Sequence, residues 1–230
     1  MTPDYGTLAQ LADGMVDHRA VHERIIQTYD IKSIVEFGLG MGTRTFFEFC
    51  NRVTSIEFYS PNDDLADSLK ISSEEWMNIC KANEEFVKFK NWELIPIEVG
   101  PRTIEAEWDV TGKGQRQVRR GDNPSSDEYI QELEDGLSDI QFEKFDLAFV
   151  DAGIHLRGDL VNLMFDKVNI ITVHDTNQPE IYGYKRIVPP EHYVKFSAGL
   201  PWGTLQGVDI YVNTLFTDKV PLDPWNSVIV

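Results

Sequence analysis

Cysteine, basic residues and long apolar runs are all scarce in this sequence of 230 residues. Its two cysteines, Cys50 and Cys80, lie far apart in no metal-ligand pattern, so we expect two buried thiols. No apolar run approaches the ~20 residues that a membrane-spanning helix needs. The N-terminus has no basic start followed by an apolar stretch, which is the pattern of a secretion signal. We therefore expect a cytoplasmic protein with no membrane partner.

The shortage of basic residues gives the chain a strongly acidic charge. Lysine and arginine number 21 against 38 acidic residues, and the formal net charge is -17. Such a surface repels phosphate backbones, so nucleic acid is not an expected partner. Apolar residues make up 42% of the chain, which is enough for a packed core. The length fits one domain spanning residues 1–230.

Strand and helix patterns alternate along most of the chain. Five short apolar runs predict strands, at 33–37, 53–58, 92–99, 145–151 and 168–173. Helical spacing of apolar residues separates most of them, which predicts a Rossmann-like α/β fold: a mostly parallel sheet with helices on both faces. Two later strands, 193–197 and 208–213, predict a C-terminal antiparallel hairpin at one edge. Residues 101–126, with glycines, prolines and a basic run, predict a variable insertion.

A glycine-rich turn follows the first predicted strand. Gly38, Gly40 and Gly42 occupy alternate positions. Glycine lets the chain turn sharply and lets a ligand approach the backbone without meeting a Cβ. Thr43 comes next and is predicted to cap the following helix, whose free N–H groups would then point into the turn. That geometry is typical of sites for nucleotide-like ligands.

Two acidic residues narrow the class of ligand. The dinucleotide fingerprint is G-x-G-x-x-G, but here Thr43 stands where its last glycine would be. Glu36 precedes the turn, and a carboxylate there repels a pyrophosphate but suits a ligand with ammonium and sulfonium groups. Glu57, at the end of the second predicted strand, is placed to accept hydrogen bonds from both hydroxyls of a ribose.

From Glu36 to Gly42, with Glu57 downstream, the sequence resembles the S-adenosylmethionine (SAM) motif of class I methyltransferases. The resemblance implies that the glycine turn holds the methionine part of SAM and that Glu57 holds the ribose. The cofactor-binding residues predicted on this basis are Glu36, Gly38, Gly40, Gly42, Thr43, Glu57 and Asp151. The implied activity is methyl transfer, which we expect to act on an oxygen of a small molecule, sugar or peptide.

Two further predicted strands end in polar clusters, Asp151 to His155 and His174 to Asn177. The carboxyl ends of parallel strands face one crevice, so both clusters should lie beside the glycine turn. This half of the sequence is similar to a branch of class I methyltransferases whose fourth strand ends with an acid, a glycine and a histidine and whose fifth ends in His-Asp-Thr. The family's usual glycine pair before the fifth strand is missing, since Asp166 to Asn169 stand there.

The chemistry of these clusters has two readings. Asp151, His155 and Asp175 are catalytic candidates, with His155 as a general base because an imidazole pKa near 6.5 suits proton removal at neutral pH. Alternatively Asp151, Asp175 and Asn177 hold Mg²⁺, since oxygen ligands with waters match a hard cation. Purely structural roles are the alternative: Asp175 caps a following helix, and His174 is a buried histidine whose ring nitrogens have hydrogen-bond partners.

Two other functions use the same features. A non-catalytic SAM-binding or scaffold protein would keep the glycine turn without turning over any acceptor. A NAD-dependent oxidoreductase would use the same fold, although Thr43 and Glu36 both argue against it.

Overall fold

The structure is a computed structural model, and it describes residues 19–40, 42–59, 72–99, 107–108, 117–118, 126–152, 157–176, 179, 182–199 and 207–216. The strands are β1 (Ser33–Phe37), β2 (Arg52–Tyr59), β3 (Trp92–Glu98), β4 (Glu107–Trp108), β5 (Gln117–Val118), β6 (Leu147–Val150), β7 (Ile170–His174), β8 (Tyr193–Gly199) and β9 (Gly207–Asn213). The helices are α1 (Arg19–Tyr29), α2 (Thr43–Phe49), α3 (Ser73–Ala82), α4 (Glu84–Lys88), α5 (Asp127–Leu137) and α6 (Arg157–Met164). Two short 3₁₀ turns cover Phe142–Lys144 and Tyr184–Arg186.

Seven strands form one sheet in the order β3-β2-β1-β6-β7-β9-β8. The pairs from β3 to β7 are parallel, whereas β9 pairs antiparallel with both β7 and β8. The predicted α/β fold and its antiparallel hairpin are confirmed. β9, the later strand of the hairpin, lies beside β7, and β8, the earlier strand, forms the edge of the sheet. The five central residues of β9 are buried, whereas β8 carries the half-exposed Lys195, a residue that suits an edge.

The central strands are buried on both faces, as parallel strands covered by helices require. Alternate residues of β1 enter different cores. Ile34 belongs to a cluster with Ile25 of α1 and Phe46 of α2, whereas Val35 belongs to one with Leu133 of α5 and Leu160 of α6. The two faces of the sheet are therefore covered by different helix pairs, and the carboxyl ends of the strands are where a ligand crevice is expected in such a sheet.

β3 tolerates Pro96 in its middle because it lies at the edge of the sheet, where one side of the strand needs no ladder hydrogen bonds. Within the predicted insertion, β4 and β5 form an antiparallel pair apart from the main sheet. The helix after this insertion is α5, and its cap is Ser126, whose hydroxyl accepts a hydrogen bond from the Tyr129 N–H (3.2 Å).

The turn before β7 does without glycine. Asp166 has a φ of +63°, a conformation that aspartate tolerates better than most residues. Its N–H donates to the Tyr193 hydroxyl (3.1 Å), which in turn donates to the Val168 carbonyl (2.8 Å). A tyrosine from β8 therefore stabilises the turn that the sequence left without its expected glycine pair.

Cys50 and Cys80 are both buried free thiols, as expected. Among the helices that the structure describes, none has the length and apolar character needed to cross a bilayer.

Candidate functional site

Gly38 is the first residue of the turn after β1, and its φ of +102° favours glycine. Its N–H donates to the Ile56 carbonyl (2.9 Å), and the Asp151 N–H donates to the Phe37 carbonyl (2.9 Å). A Cβ on Gly38 would lie 2.7 Å from the Asp151 carbonyl carbon. Glycine is therefore required here because the end of β6 passes directly against the turn; a contact between Gly38 and a cofactor stays a prediction.

Gly40 differs from Gly38 in what surrounds it. Among described atoms, a Cβ added to Gly40 would meet the Gly42 nitrogen at 3.9 Å and nothing nearer. A Cβ here would therefore make only ordinary van der Waals contact with the described part of the protein. This is the geometry expected where a ligand approaches the backbone.

The predicted helix cap at Thr43 is wrong. Gly42 is the N-cap residue of α2, with no side-chain cap, and Thr43 is the first helical residue. The Thr43 hydroxyl donates to the Glu36 carboxylate instead (2.6 Å). A buried carboxylate needs hydrogen-bond donors, and this hydroxyl is turned toward it rather than toward the free N–H groups of the helix.

Glu36 lies under the turn and is only 1% exposed. Besides Thr43, the Ser55 hydroxyl donates to it, and Ser55 accepts from the Trp92 indole N–H (2.9 Å). Burial raises the pKa of Glu36 to about 8, against the effect of these hydrogen bonds, and the charges of Asp151 and Glu57 add to the increase. Glu36 is therefore mostly protonated at pH 7, so it does not act there as a full negative charge.

Glu57 is bound directly to the glycine turn. Its carboxylate accepts a hydrogen bond from the Leu39 N–H (2.6 Å), and the Leu39 carbonyl accepts one from the Trp76 indole N–H (2.7 Å). Burial, followed by the charge of Asp151, raises the pKa of Glu57 to about 7. β2 continues past Glu57 to Tyr59, so this acid stands near the strand's end rather than at it.

The other half of the site is organised around Arg157, at the start of α6. Its guanidinium binds Asp151 (Nη2 to Oδ1, 2.7 Å) and Asp175 (Nη1 to Oδ2, 2.9 Å). Its Nε donates to the Ala152 carbonyl (2.7 Å). The strand ends of β6 and β7 are thus brought together as predicted, by a residue to which the sequence had assigned no role.

His174 is buried between the same two carboxylates, with its Nδ1 3.4 Å from Asp151 and 3.6 Å from Asp175. Burial by itself would lower the pKa of His174, but the two carboxylates outweigh it and raise the pKa to about 10. His174 is therefore a cation at neutral pH and cannot accept a proton there.

Asp175 has a left-handed backbone, with a φ of +57°, and a carboxylate bound to Arg157. Burial tends to raise its pKa, but His174 and Arg157 hold the pKa well below its usual range. The Asp175 carboxylate binds Arg157, and the suggestion that it caps a following helix stays a prediction because residues 177–178 lie outside the described residues.

A segment at 182–186 covers this cluster. The ring of Tyr182 lies over the Arg157 guanidinium, 4.2 Å from Cζ to the ring centroid, and the Tyr184 hydroxyl donates to the His174 carbonyl. Asp159 and Arg186 join the segment to α6 through a part-buried ion pair (2.8 Å). The Tyr182 carbonyl accepts from the Gly158 N–H (3.2 Å), which completes the attachment.

Two predicted site residues, His155 and Asn177, lie outside the described residues, so the general base and the third metal ligand stay predictions. Asp151, His174 and Asp175 do present ligand atoms within 4.8 Å of one another. This set does not fit Mg²⁺, which prefers oxygen ligands with several waters, because one ligand is an imidazole and both carboxylates already bind Arg157.

A signal for Arg157 was present in the sequence. Between Asp151 and Asp166 it is the single lysine or arginine, and it follows a strand end that carries an acid. A cation at that position can reach the carboxylates of two neighbouring strand ends. The indole donors Trp76 and Trp92 had no comparable signal, because their partners come from other strands and turns.

Neither the family models nor the curated proteins contain a match to this chain. Among solved structures, it is similar to the crystal structure of a methyltransferase-like protein from Silicibacter pomeroyi, with 15% sequence identity over 85% of each chain and a TM-score of 0.45. At that level of similarity, the function has to be argued from the chemistry of the crevice.

Proposed function

We propose that this protein is a class I SAM-dependent methyltransferase whose cofactor binds at the carboxyl ends of β1, β2 and β6. The observation that carries the proposal is the convergence of three features at that edge. Gly40 leaves its backbone open, Glu57 is bound to the turn through Leu39, and the end of β6 at Asp151 packs against Gly38. Strand ends at such an edge are where open α/β sheets bind ligands.

The electrostatics of this edge favour a cationic ligand. Asp151 raises the pKa of both Glu36 and Glu57, so the three carboxyl groups are close enough to feel one another's charge. SAM carries a sulfonium and an ammonium group, which relieve that repulsion. A dinucleotide would bring a pyrophosphate and increase it, and this disfavours the NAD-dependent alternative.

The residues divide the work of binding. Gly40 lets the ligand approach the backbone, and Glu57 accepts hydrogen bonds from the ribose hydroxyls. Asp151, whose side chain is 28% exposed, is open to solvent beside them and suits the ammonium group of the cofactor or a polar group of the acceptor. When bound, SAM supplies the methyl group on its sulfonium, and the protein contributes by aligning the acceptor with it.

We propose an oxygen atom of a small molecule, sugar or peptide as the methyl acceptor. A hydroxyl must lose its proton during transfer. Protonated His174 cannot take that proton, and Asp175 is a poor base because its pKa is held low. This leaves His155 as the proposed base, with Asp151 beside the crevice as a second group able to hold the acceptor.

The test is calorimetric titration with S-adenosylhomocysteine (SAH), the product form of the cofactor. We expect micromolar binding by the wild-type protein. Glu57→Gln should weaken it by about 10- to 100-fold, as the loss of charge-assisted hydrogen bonds implies. Gly40→Val should abolish it without loss of stability, because a Cβ there makes only ordinary van der Waals contact with the described part of the protein. Glu93→Gln, a matched change on the exposed side of β3, should leave the affinity unchanged.

Each alternative gives a different result. Binding of NAD in preference to SAH would indicate an oxidoreductase, and failure to bind SAH under any condition would overturn the proposal. SAH binding without methyl transfer to a panel of hydroxyl acceptors would indicate the non-catalytic SAM-binding protein.

A further inference from the structure

The Arg157 guanidinium lies between two carboxylates, in the position that a metal ion occupies in a carboxylate metal site. Its side chain is 9% exposed, and its guanidinium joins Asp151 of the β6 end to Asp175 of the β7 end at 2.7 and 2.9 Å. It also donates to the carbonyls of Ala152 (2.7 Å) and His174 (3.4 Å). One buried positive group therefore satisfies two carboxylates and two backbone oxygens.

The side chains around Arg157 have the spacing of metal ligands. Asp151, His174 and Asp175 each offer a ligand atom within 4.8 Å of the others. Two carboxylates and an imidazole form a ligand set that transition metals such as Mn²⁺ accept. In such a site a divalent ion would balance the two negative charges, and here the guanidinium is bonded to both.

Packing keeps Arg157 in this place. The Tyr182 ring covers the guanidinium at 4.2 Å, and the Tyr184 hydroxyl donates to the His174 carbonyl on the same strand end. Asp159 and Arg186, both on or beside α6, fix the segment that carries these two tyrosines. A guanidinium held on one side by a ring and on the other by two carboxylates has little freedom to leave.

We propose that Arg157 is the built-in cation of this site: it occupies the place of a divalent metal ion between Asp151 and Asp175 and so positions the Asp151 carboxylate at the crevice. The wild-type cluster therefore takes up no divalent cation, and removal of the guanidinium uncovers a metal site. Arg157 acts through Asp151, so it is a positioning residue. A role for Asp151 in binding the cofactor or the acceptor rests on the proposed function, whereas the exclusion of a divalent ion by Arg157 does not.

The experiment is a titration of purified protein with Mn²⁺, followed by electron paramagnetic resonance of the free ion. We expect no specific binding by the wild-type protein. Arg157→Gln should bind Mn²⁺ at least about tenfold more tightly, because a positive charge at about 4 Å no longer repels the ion. Arg186→Gln is the matched control: it breaks a second, part-buried arginine–aspartate pair, between Arg186 and Asp159 of α6, and should gain no Mn²⁺ affinity because the Arg157 guanidinium stays between its carboxylates.

Specific Mn²⁺ binding by the wild-type protein would overturn the proposal, and this arm needs no variant. A folded Arg157→Gln protein without gained affinity would overturn it as well. Arg157→Lys keeps the charge but not the planar fork, so it should still exclude Mn²⁺. SAH affinity should fall in the Arg157→Gln protein and recover in part on addition of guanidinium ions. Since SAH binding by the wild-type protein is measured separately, failure of the proposed function is distinguishable from failure of this inference.

Discussion

The two halves of the crevice use buried carboxyl groups in opposite ways. In the β1–β2 half, Glu36 and Glu57 are held by neutral hydroxyl and amide donors, and burial raises their pKa values to about 8 and about 7. In the β6–β7 half, Asp175 is as well buried but lies against Arg157 and His174, and its pKa falls below the usual range. Neighbouring charge, rather than burial alone, therefore decides whether a buried acid here is ionised.

The two halves therefore differ in whether their charge can change near neutral pH. The acids of the β1–β2 half titrate near neutral pH, so their charge changes readily when a ligand arrives. The β6–β7 half keeps its charges fixed at neutral pH on both sides of its ion pairs. Substitutions that neutralise one acid in each half without changing its shape measure the difference directly.

The largest effect is expected from Asp175→Asn, which leaves the buried Arg157 and His174 with one carboxylate fewer. Breaking a buried pair destabilises a protein by about 3 kcal/mol or more. Because the folded-state pKa of Asp175 is depressed, its contribution is present above the ordinary aspartate pKa of 3.8 and is lost as pH falls toward the lower folded-state pKa. Urea denaturation should show the deficit at pH 7 and a smaller one below pH 4. Asp166→Asn, an exposed change, should show neither.

A smaller effect of opposite sign is expected from Glu36→Gln. The folded-state pKa of about 8 lies above the ordinary glutamate pKa of 4.5, so wild-type stability falls as pH rises between these two values. The glutamine variant lacks that loss. Relative to the wild-type protein it should gain about 2 kcal/mol between pH 5 and pH 9, because the glutamine does not incur the free-energy cost of ionising a buried carboxyl group. A difference that does not change with pH would contradict the assignment of Glu36 as a neutral buried acid.

The smallest effect concerns binding. Glu57 must be ionised to accept hydrogen bonds from ribose hydroxyls, and its pKa in the free protein is about 7. SAM affinity should therefore fall about tenfold or less as pH drops from 8 to 6, with proton release on binding detectable as a buffer-dependent enthalpy. In the Glu57→Gln protein the weaker affinity should no longer follow this profile. An unchanged profile in that variant would assign the titration to another group.

Much of the fold followed from local patterns in the sequence. The apolar runs at 33–37 and 168–173 predicted β1 and β7 to within a few residues, because burial on both faces of a strand is a local signal. The position of β9 was not predictable in this way. It depends on which of two hairpin strands is better buried against β7, and that is settled by packing between distant segments.

The sequence indicated most residues of the candidate site, but not the hydrogen bonds and ion pairs that join them. The glycine turn, Glu57 and the acids at 151 and 175 were found from strand ends alone. The sequence pattern assigned no partner to Arg157, and it predicted that Thr43 caps α2, whereas the Thr43 hydroxyl binds Glu36. Both partners depend on which buried group most needs a hydrogen bond, and the sequence pattern does not show this. The sequence pattern also predicted ligand contact for both Gly38 and Gly40. In the structure Gly38 packs against the end of β6, whereas no described atom lies close to the Cβ position of Gly40.

The insertion of β9 between β7 and β8 also has a consequence for how the chain is made. Synthesis produces β8 before the strand that must separate it from β7, so the sheet cannot close until residues through Asn213 have left the ribosome. Until then β7, an apolar strand, keeps an unpaired edge open to other chains. The last strand to be synthesised in this sheet is thus the one that completes its interior, and the nascent protein is exposed to mispairing until that strand is available.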